Sequence, residues 1–285
     1  MVEKENVIIP NKKNLNLLKN QFHKGGINEI HVLTDFDRTL TTAYANGIKV
    51  PSIISRLRDG GYISKDYSKK ATALANHYHP IELDQNISLE EKKKKMHEWW
   101  IKHFDLLIKS RLNKKHIETI VEEGVIQFRE GAKDFLKFLD EKKIPLIILS
   151  SSGLGYDSVE IFLKKNHCLY KNISIISNSF KWDRDGYAIG INKPIIHVFN
   201  KDEQSLKNYP VYNSIKNRKN IILLGDSLGD LGMVANAEYN HLIKIGFLNE
   251  NVEEDLALYG KNFDIILTDD SNMNYVNKFM KEILR

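Results

Sequence analysis

The sequence contains a single cysteine, Cys168, so a disulfide bond within the chain is excluded. A lone thiol usually packs as a small apolar side chain, and no pattern of histidine and acid singles this one out as a nucleophile. No apolar run approaches the roughly 20 residues that a membrane-spanning helix needs. Residues 1–5 mix acidic and basic side chains without an apolar stretch, so we expect no secretory signal. These absences predict a cytoplasmic protein without a membrane segment.

A strong charge imbalance is also missing. The chain has 42 lysines and arginines against 37 acidic residues, and the net charge of +5 is spread along it. The one dense basic run, residues 92–95, follows two glutamates in a predicted helix, so we interpret it as an exposed face with intrahelical ion pairs. The aromatic and arginine patterning of an RNA-binding surface is absent. We therefore expect no nucleic-acid polymer as a partner, and the mixed surface favours a monomer.

Short apolar runs recur along most of the chain. Their length and continuity are typical of strands buried on both faces, and they lie at residues 29–35, 144–150, 173–176, 220–226, 242–245 and 264–267. Segments with helical periodicity accompany them at residues 12–24, 131–142, 155–166 and 250–260. This alternation predicts an α/β fold with a Rossmann-like, doubly wound parallel sheet.

Residues 42–125 interrupt the alternation. They contain no clear buried strand and are rich in helix-forming and charged residues, including a helix that Ser88 and Glu91 would open as a capping box. A segment inserted after the first strand lies above the carboxyl edge of the sheet, where open α/β sheets bind ligands. We therefore predict a catalytic core formed by residues 1–41 and 126–285 and a mainly helical cap formed by residues 42–125.

Three of the apolar runs end on a reactive side chain, namely Asp35, Ser150 and Asp226. A carboxylate can attack phosphorus and hold it as an acyl phosphate, which divides one difficult step into two easier ones. Asp35 suits this role, and Asp37 can protonate the leaving oxygen and later accept a proton from water. The alternative is a plain turn after a strand, in which an aspartate caps the backbone that follows.

A phosphoryl group in transfer carries much negative charge that needs compensation. Asp35 and Asp226, with the backbone carbonyl of Asp37, offer the oxygen ligands that Mg²⁺ prefers. A lysine and a hydroxyl group would complete the surroundings of the phosphate. Asp226 and Asp230 could also serve as acids at the N-terminus of the next helix.

The motif Asp-Phe-Asp-Arg-Thr-Leu at residues 35–40 resembles the first motif of the haloacid dehalogenase (HAD) superfamily of phosphatases. Gly-Asp-Ser-Leu-Gly-Asp at residues 225–230 resembles its acidic fourth motif. The segments 196–201, 81–84, 90–99 and 244–249 are similar to the cytosolic pyrimidine 5'-nucleotidase family (type III), including its 7-methylguanosine-monophosphate branch. The resemblance covers residues 12–285 and implies an HAD-like core.

The resemblance also implies roles for single residues. Asp35 would be the nucleophile, Asp37 the acid and base, and these two with Asp226 the magnesium ligands. The phosphate would bind to the hydroxyl of one serine, to the backbone of the next and to a lysine, and a further acid would orient this site. These four residues are, in that order, Ser150, Ser151, Lys201 and Asp230. Glu82 stands where the family recognises the base, since a carboxylate can accept from an amine or a ring N–H.

The chain departs from the family pattern at two places. The loop after the second strand reads Ser-Ser-Ser-Gly at residues 150–153, one residue longer than the Ser-Ala-Gly of the family, so Ser150 and Ser151 are alternatives for the phosphate-binding hydroxyl. His103 replaces a serine that contacts the substrate in the family, which leaves the preferred base open. Trp99 and Trp100 are adjacent on a helix, so we expect one to pack inside the cap and the other to line the pocket.

These residues favour a magnesium-dependent 5'-nucleotidase that hydrolyses nucleoside 5'-monophosphates. Pyrimidine nucleotides such as CMP and UMP, or 7-methyl-GMP, would be cleaved through a phospho-aspartate. The alternatives are a phosphatase for small metabolites such as phosphoserine or a sugar phosphate, and a nucleotide-binding protein without activity. Replacement of Glu82 would distinguish the 5'-nucleotidase from the small-metabolite phosphatase, because this carboxylate would contribute only to the binding of a nucleotide.

Overall fold

The computed structural model describes residues 6–84, 86–201, 206–207 and 209–285. The expectation about a secretory signal concerns residues 1–5, which lie outside this range. The strands are β1 (Val7–Ile8), β2 (Ile30–Thr34), β3 (Tyr44–Ala45), β4 (Ile48–Lys49), β5 (Leu146–Leu149), β6 (Ile173–Ile176), β7 (Phe180–Trp182), β8 (Ala188–Ile191), β9 (Asn220–Gly225), β10 (His241–Leu248) and β11 (Ile265–Thr268).

The helices are α1 (Lys12–Gly25), α2 (Ile53–Asp59), α3 (Lys65–Leu83), α4 (Leu89–Lys109), α5 (Lys114–Glu122), α6 (Ala132–Glu141), α7 (Gly155–Lys165), α8 (Tyr212–Ile215), α9 (Val252–Asn262) and α10 (Asn274–Ile283). The predicted segments 12–24, 131–142, 155–166 and 250–260 correspond to α1, α6, α7 and α9, whereas α8 and α10 were not predicted. Residues Ile27–Glu29 and Leu228–Val234 form 3₁₀ helices. Within the described residues, no helix is both long and apolar enough to cross a bilayer.

The central sheet has seven strands in the order β1-β11-β10-β9-β2-β5-β6. All neighbours pair in parallel except β1, which adds an antiparallel edge strand beside β11. The sequence did not reveal β1, because a strand of two residues has no periodicity to recognise. The predicted α/β fold with a mainly parallel sheet is confirmed.

Alternate residues of each central strand face opposite sides of the sheet. In β9, Ile222 and Leu224 join an apolar cluster with side chains from α1, α6, α7 and α10. Ile221 and Leu223 join a second cluster that includes Ile215 of α8. Both faces are therefore covered, which explains why these strands are continuous apolar runs in the sequence.

The strand order reverses at β2. From β2 the chain adds β5 and β6 on one side, and β9, β10 and β11 later fill the other side. A crevice forms at such a reversal, beyond the carboxyl ends of the strands, and it is the usual ligand site of open α/β sheets. The carboxyl ends of β2, β5 and β9 border this crevice.

The chain between β2 and α6 contains the hairpin β3–β4 and the helices α2 to α5. Its long helices α3 and α4 pack together, and Ser88 begins α4 by accepting a hydrogen bond from the Glu91 backbone at 3.3 Å, as one half of the predicted capping box requires. Most of the buried apolar side chains of this segment, among them Leu57 and Phe104, belong to the same cluster as the sheet. The boundaries at 41/42 and 125/126 stay a prediction.

Candidate active site

The residues that follow three neighbouring strands line one cavity. Thr34 ends β2 and pairs with residues close to the carboxyl ends of both β5 and β9. The residues that follow these strands, Asp35, Ser150 and Asp226, therefore emerge side by side, and all three line a cavity of about 250 Å³. The parallel register is thus the physical reason that groups almost 200 positions apart in sequence meet.

A buried lysine lies among the carboxylates. Lys201 is 3% exposed, and its Nζ donates hydrogen bonds to Asp35 Oδ1 at 2.5 Å and to Asp230 Oδ1 at 2.9 Å. Burial by itself lowers the pKa of Lys201, but the negative charges of Asp230 and Asp35 outweigh it and raise the pKa above its ordinary value. The lysine is therefore a permanent cation at the predicted nucleophile.

Asp230 uses both of its carboxylate oxygens within the protein. While Oδ1 accepts from Lys201, Oδ2 accepts from the backbone N–H of Asp226 at 3.1 Å and from the backbone and hydroxyl of Ser227 at 3.0 and 3.1 Å. A Cβ at Gly225 would lie 2.5 Å from that of Asp230, so only glycine fits there. Asp230 thus contacts both Lys201 and the backbone that follows β9, and its orienting role stays a prediction.

The cavity holds more negative than positive charge. Burial raises the pKa of Asp35 to about 7 against the opposing charge of Lys201, and Asp230 and Asp37 add to the rise. Burial also raises the pKa of Asp37 to about 6. The pKa of Asp226 lies well above its ordinary value because of burial first and then the charges of Asp230 and Asp35. A cation bound here would relieve this repulsion.

Three of these acids could share such a cation. Oxygen atoms of Asp35, Asp226 and Asp230 lie within 4.8 Å of one another. The set consists of hard oxygen donors, which suits Mg²⁺ and not a metal that prefers sulfur or imidazole. Because both oxygens of Asp230 already accept hydrogen bonds, Asp35 and Asp226 have the freer lone pairs.

The loop after β5 forms another side of the cavity. Ser150 is 2% exposed, and its hydroxyl accepts from the Ser152 backbone N–H at 3.2 Å. Ser151 is half-buried and also lines the cavity. Helix α7 begins just beyond this loop, so its N-terminus adds partial positive charge near the site. Both candidate serines stand at the cavity wall.

The opposite wall comes from helices α3 and α4. Glu82, in the last turn of α3, lines the cavity and accepts a hydrogen bond from His79 Nδ1 at 3.1 Å. The tryptophan rings of residues 99 and 100 stack with centroids 5.4 Å apart and an angle of 12° between their planes, and both line the cavity. The expectation that only one would do so was wrong, because the large indole rings turn towards each other despite the angle between adjacent residues on a helix.

His103 lies one turn behind this wall. It is 6% exposed, packs against Trp100 with ring centroids 5.2 Å apart, and its Nε2 lies 3.3 Å from the carbonyl oxygen of Gly153. Of the residues predicted for the site it is the one that does not line the cavity with Asp35; it borders a larger adjoining cavity of about 1050 Å³ between α2, α3 and α4.

Two residues that support the site were not anticipated from the sequence. Asn178 is 1% exposed and joins two loops: its amide donates to the carbonyl oxygens of Ser152 at 3.4 Å and Ile196 at 2.8 Å, and its oxygen accepts from the Ile196 backbone at 2.8 Å. It thereby connects residues 150–153 after β5, the serine loop, to the loop that carries Lys201. Nothing near Asn178 in the sequence signals this, since its partners are distant along the chain.

Arg129 supports the loop that follows Asp35. Its guanidinium is 1% exposed, donates to the backbone oxygens of Arg38 and Thr39, and forms an ion pair with Asp270 at 2.9 Å. Arg38 itself has a φ of 58°, a left-handed conformation that needs such support. A buried arginine in an otherwise ordinary segment could have been a signal, but burial is not visible in one sequence.

Comparison with known proteins gives a consistent result. The sequence model of the pyrimidine 5'-nucleotidase (UMPH-1) family matches residues 38–284. The 7-methylguanosine phosphate-specific 5'-nucleotidases of Homo sapiens and Mus musculus are each 37% identical to the chain over 262 residues, which cover 92% of this chain and 87% of the relative. A putative cytosolic 5'-nucleotidase 3 of Caenorhabditis elegans is 33% identical over 263 residues, with coverages of 90% and 69%.

Solved structures agree with these relatives. Cytosolic 5'-nucleotidase IIIB bound to cytidine superposes with a TM-score of 0.88 at 28% identity, covering 99% of this chain and 95% of that one. A substrate-bound phosphoserine phosphatase superposes with a TM-score of 0.54 at 16% identity, covering 88% and 97%, and supports the fold alone. The resemblance predicted from the motifs is confirmed.

Proposed function

The chain belongs to the pyrimidine 5'-nucleotidase family and is a 5'-nucleotidase, and we propose that it hydrolyses nucleoside 5'-monophosphates through a phosphorylated Asp35. The observation that carries the proposal is the convergence of Asp35, Lys201, Ser150 and Asp226 in a cavity whose other wall holds Glu82 and two tryptophans. The first four residues can bind and attack a phosphate group, and the wall with Glu82 and the tryptophans can bind a base.

In the first step, a carboxylate oxygen of Asp35 attacks phosphorus and the bond to the 5'-oxygen of the nucleoside breaks. Asp37 gives its proton to that departing oxygen, and burial, which raises the pKa of Asp37, favours the protonated form that this step needs. In the second step, Asp37 takes a proton from water as the water attacks the phosphorus of phospho-Asp35. Inorganic phosphate leaves and both aspartates return to their starting state.

Positive charge and hydrogen-bond donors would hold the phosphate between these steps. Lys201 contacts Asp35 directly, so its ammonium group lies where charge develops on the transferring phosphoryl group. Ser150 and the Ser151 backbone would contribute further donors from the serine loop. Asp230 would keep Lys201 in place through its 2.9 Å hydrogen bond.

We assign Mg²⁺ to the carboxylates of Asp35 and Asp226 and the backbone carbonyl of Asp37. The donor set fits, because it consists of oxygen atoms and because burial, with the charges of the neighbouring acids adding to it, raises the pKa values of Asp35 and Asp226. When bound, the ion would neutralise charge on the phosphoryl oxygens.

The base would lie against the wall from α3 and α4. Stacked Trp99 and Trp100 offer an aromatic surface, and the Glu82 carboxylate can accept from an exocyclic amine or a ring N–H. A pyrimidine fits the cytidine that the structural relative binds, and 7-methylguanine fits the names of the sequence relatives. The substrate would thus be CMP, UMP or 7-methyl-GMP.

The remaining features of the proposal concern the whole molecule. We assign residues 1–41 and 126–285 to the core and 42–125 to the cap, and place the enzyme in the cytoplasm as a monomer that binds no nucleic-acid polymer. Ion pairs within α4, such as Lys93 with Glu90 and Lys102 with Glu98, support a solvated helix face in place of a nucleic-acid surface.

A phosphate-release screen tests the proposal. The wild-type protein and Asp35→Asn are assayed with CMP, UMP, 7-methyl-GMP, phosphoserine and an aryl phosphate, with Mg²⁺ or with EDTA. We expect the nucleotides to be cleaved fastest, EDTA to stop the reaction, and Asp35→Asn to lose more than about 10³-fold in rate, since the amide cannot act as nucleophile. Asp264→Asn, at a half-buried acid outside the cavity, is the matched control. Turnover by Asp35→Asn at the wild-type rate would refute the mechanism.

A further inference from the structure

Helix α4 is the part of the cap that touches both loops around the phosphate. Near its start, Lys92 Nζ lies 5.5 Å above the Phe199 ring and His97 packs edge-on against His197, so α4 meets the loop that leads to Lys201. Near its end, His103 meets the serine loop at Gly153. Contacts at both ends of one helix can couple the position of the cap to the geometry of the phosphate site.

The contact at Gly153 is closely packed. A Cβ at Gly153 would lie 2.8 Å from His103 Nε2 and 3.1 Å from both Ile54 and Trp100, so no side chain fits at this position. The serine loop is therefore pressed directly against the cap. Because Nε2 lies 3.3 Å from the Gly153 carbonyl oxygen, this nitrogen carries the hydrogen and donates it.

The imidazole of His103 is uncharged in the folded protein. Burial lowers its pKa to about 4; the nearby positive charge of Arg58 acts in the same direction, and the Gly153 hydrogen bond opposes it. A neutral ring has one donor nitrogen, and the Gly153 contact uses that donor. His103 thus has no N–H left with which to donate to a substrate.

We infer that His103 is a positioning residue that joins the cap to the phosphate-binding loop 150–153, and that it acts through this loop instead of contacting the base. The hydrogen bond to Gly153, supported by the packing of Trp100 and Ile54, holds the loop at the distance from Asp35 that the phosphate needs. Since the loop serves the phosphate of every substrate, the effect of His103 is independent of the base. This inference rests on the proposed function in so far as loop 150–153 binds the phosphate.

Three variants test the inference. His103→Leu removes the donor at similar volume, His103→Gln keeps an N–H of similar reach, and Leu107→Ala is the control for a loosened helix, because Leu107 is buried one turn further along α4. For each, kcat and KM are measured with CMP, with 7-methyl-GMP and with p-nitrophenyl phosphate, which has no base. The inhibition constant of inorganic phosphate against p-nitrophenyl phosphate is measured as well.

We expect His103→Leu to lose about tenfold in kcat/KM on all three substrates and to bind inorganic phosphate about tenfold more weakly, as for the loss of one buried hydrogen bond. His103→Gln should recover most of both losses, while Leu107→Ala should leave phosphate inhibition unchanged. A loss confined to the two nucleotides would overturn the inference and assign His103 to the base. Equal losses in Leu107→Ala would also overturn it, as would unchanged phosphate inhibition in His103→Leu.

The experiment separates this inference from the proposed substrate class. If the wild-type enzyme cleaves p-nitrophenyl phosphate but neither nucleotide, the proposed function fails while the comparison of variants on p-nitrophenyl phosphate still decides the role of His103. If no ester is cleaved, calorimetric titration with inorganic phosphate gives the same comparison, and equal affinity of wild type and His103→Leu would refute the link.

Discussion

The two walls of the active-site cavity are built on different physical principles. The core wall holds four acids and one lysine beyond the carboxyl edge of the rigid sheet, where burial raises the pKa of the acids Asp35, Asp37 and Asp226. The cap wall consists of half-buried aromatic rings and Glu82 on helices. The core wall holds charged groups whose positions must be accurate for the reaction, whereas the cap wall provides an aromatic surface and one carboxylate for hydrogen bonding. Chemistry should therefore depend on the first wall and substrate choice on the second.

The sharpest test of this contrast is removal of the core cation. We expect Lys201→Met to lower kcat/KM by about 10²–10³-fold on nucleotides and aryl phosphate alike, because the charge that faces the phosphate disappears. Thermal denaturation should show lower stability, since Asp35 and Asp230 lose their partner. The exposed Lys261→Met is the control. A loss limited to nucleotides would remove the distinction between the walls.

Metal binding provides the next test. Saturating Mg²⁺ should raise the melting temperature of the wild-type protein by about 5 °C or more, because it binds the folded state alone. Asp226→Asn should lose this shift and melt higher than the metal-free wild type, since it relieves repulsion with Asp35 and Asp230. Differential scanning fluorimetry with and without EDTA measures both effects. A full Mg²⁺ shift in Asp226→Asn would contradict the assignment.

The cap wall is tested with Glu82→Gln. The amide has one acceptor oxygen where the carboxylate has two, and it carries no negative charge, so we expect kcat/KM on nucleotides to fall about 10–100-fold. Aryl phosphate should be cleaved at the wild-type rate, because it does not reach Glu82. Glu90→Gln, at an exposed position of α4, is the control. Equal losses on both kinds of substrate would favour a phosphatase of small metabolites.

The remaining effect concerns acid stability. The unfolded chain protonates His103 below a pH of about 6.5, whereas the folded chain does so only near the lowered pKa of about 4. Because the unfolded state binds more protons in this window, the contribution of His103 is complete above pH 6.5 and is lost as the pH falls, by up to about 3 kcal/mol. Urea denaturation of wild type and His103→Gln between pH 7 and 4 should show a weaker pH dependence in the variant. Exposed His23→Gln should behave like wild type.

The strengths and gaps of the sequence predictions follow the same division. The strands of the central sheet were predictable because burial on both faces leaves continuous apolar runs, and each predicted run overlaps a strand. The edge strand β1 and the hairpin β7–β8 were missed, since β1 has only two residues, β7 only three, and a glycine interrupts β8. Asp35, Ser150 and Asp226 could be named because they follow strands directly, whereas the family resemblance was needed to name Lys201 and Asp230.

The cap wall was less predictable. The sequence suggested Glu82 only through the family resemblance, and the mutual stacking of Trp99 and Trp100 depends on rotamers that packing selects. Likewise, Asn178 and Arg129 support the site through partners far away along the chain. Such contacts are products of tertiary structure and leave no local pattern.

The sequence by itself determined the fold class, the family and the set of acids, because these depend on local apolar runs and on short motifs attached to strand ends. Only the tertiary structure decided how these groups share charge: it buried Lys201 between Asp35 and Asp230 and raised the pKa values of the surrounding acids. It also placed His103 against Gly153, behind the cavity wall. Burial and distance arise when separate segments pack together, and one sequence does not show which segments these are.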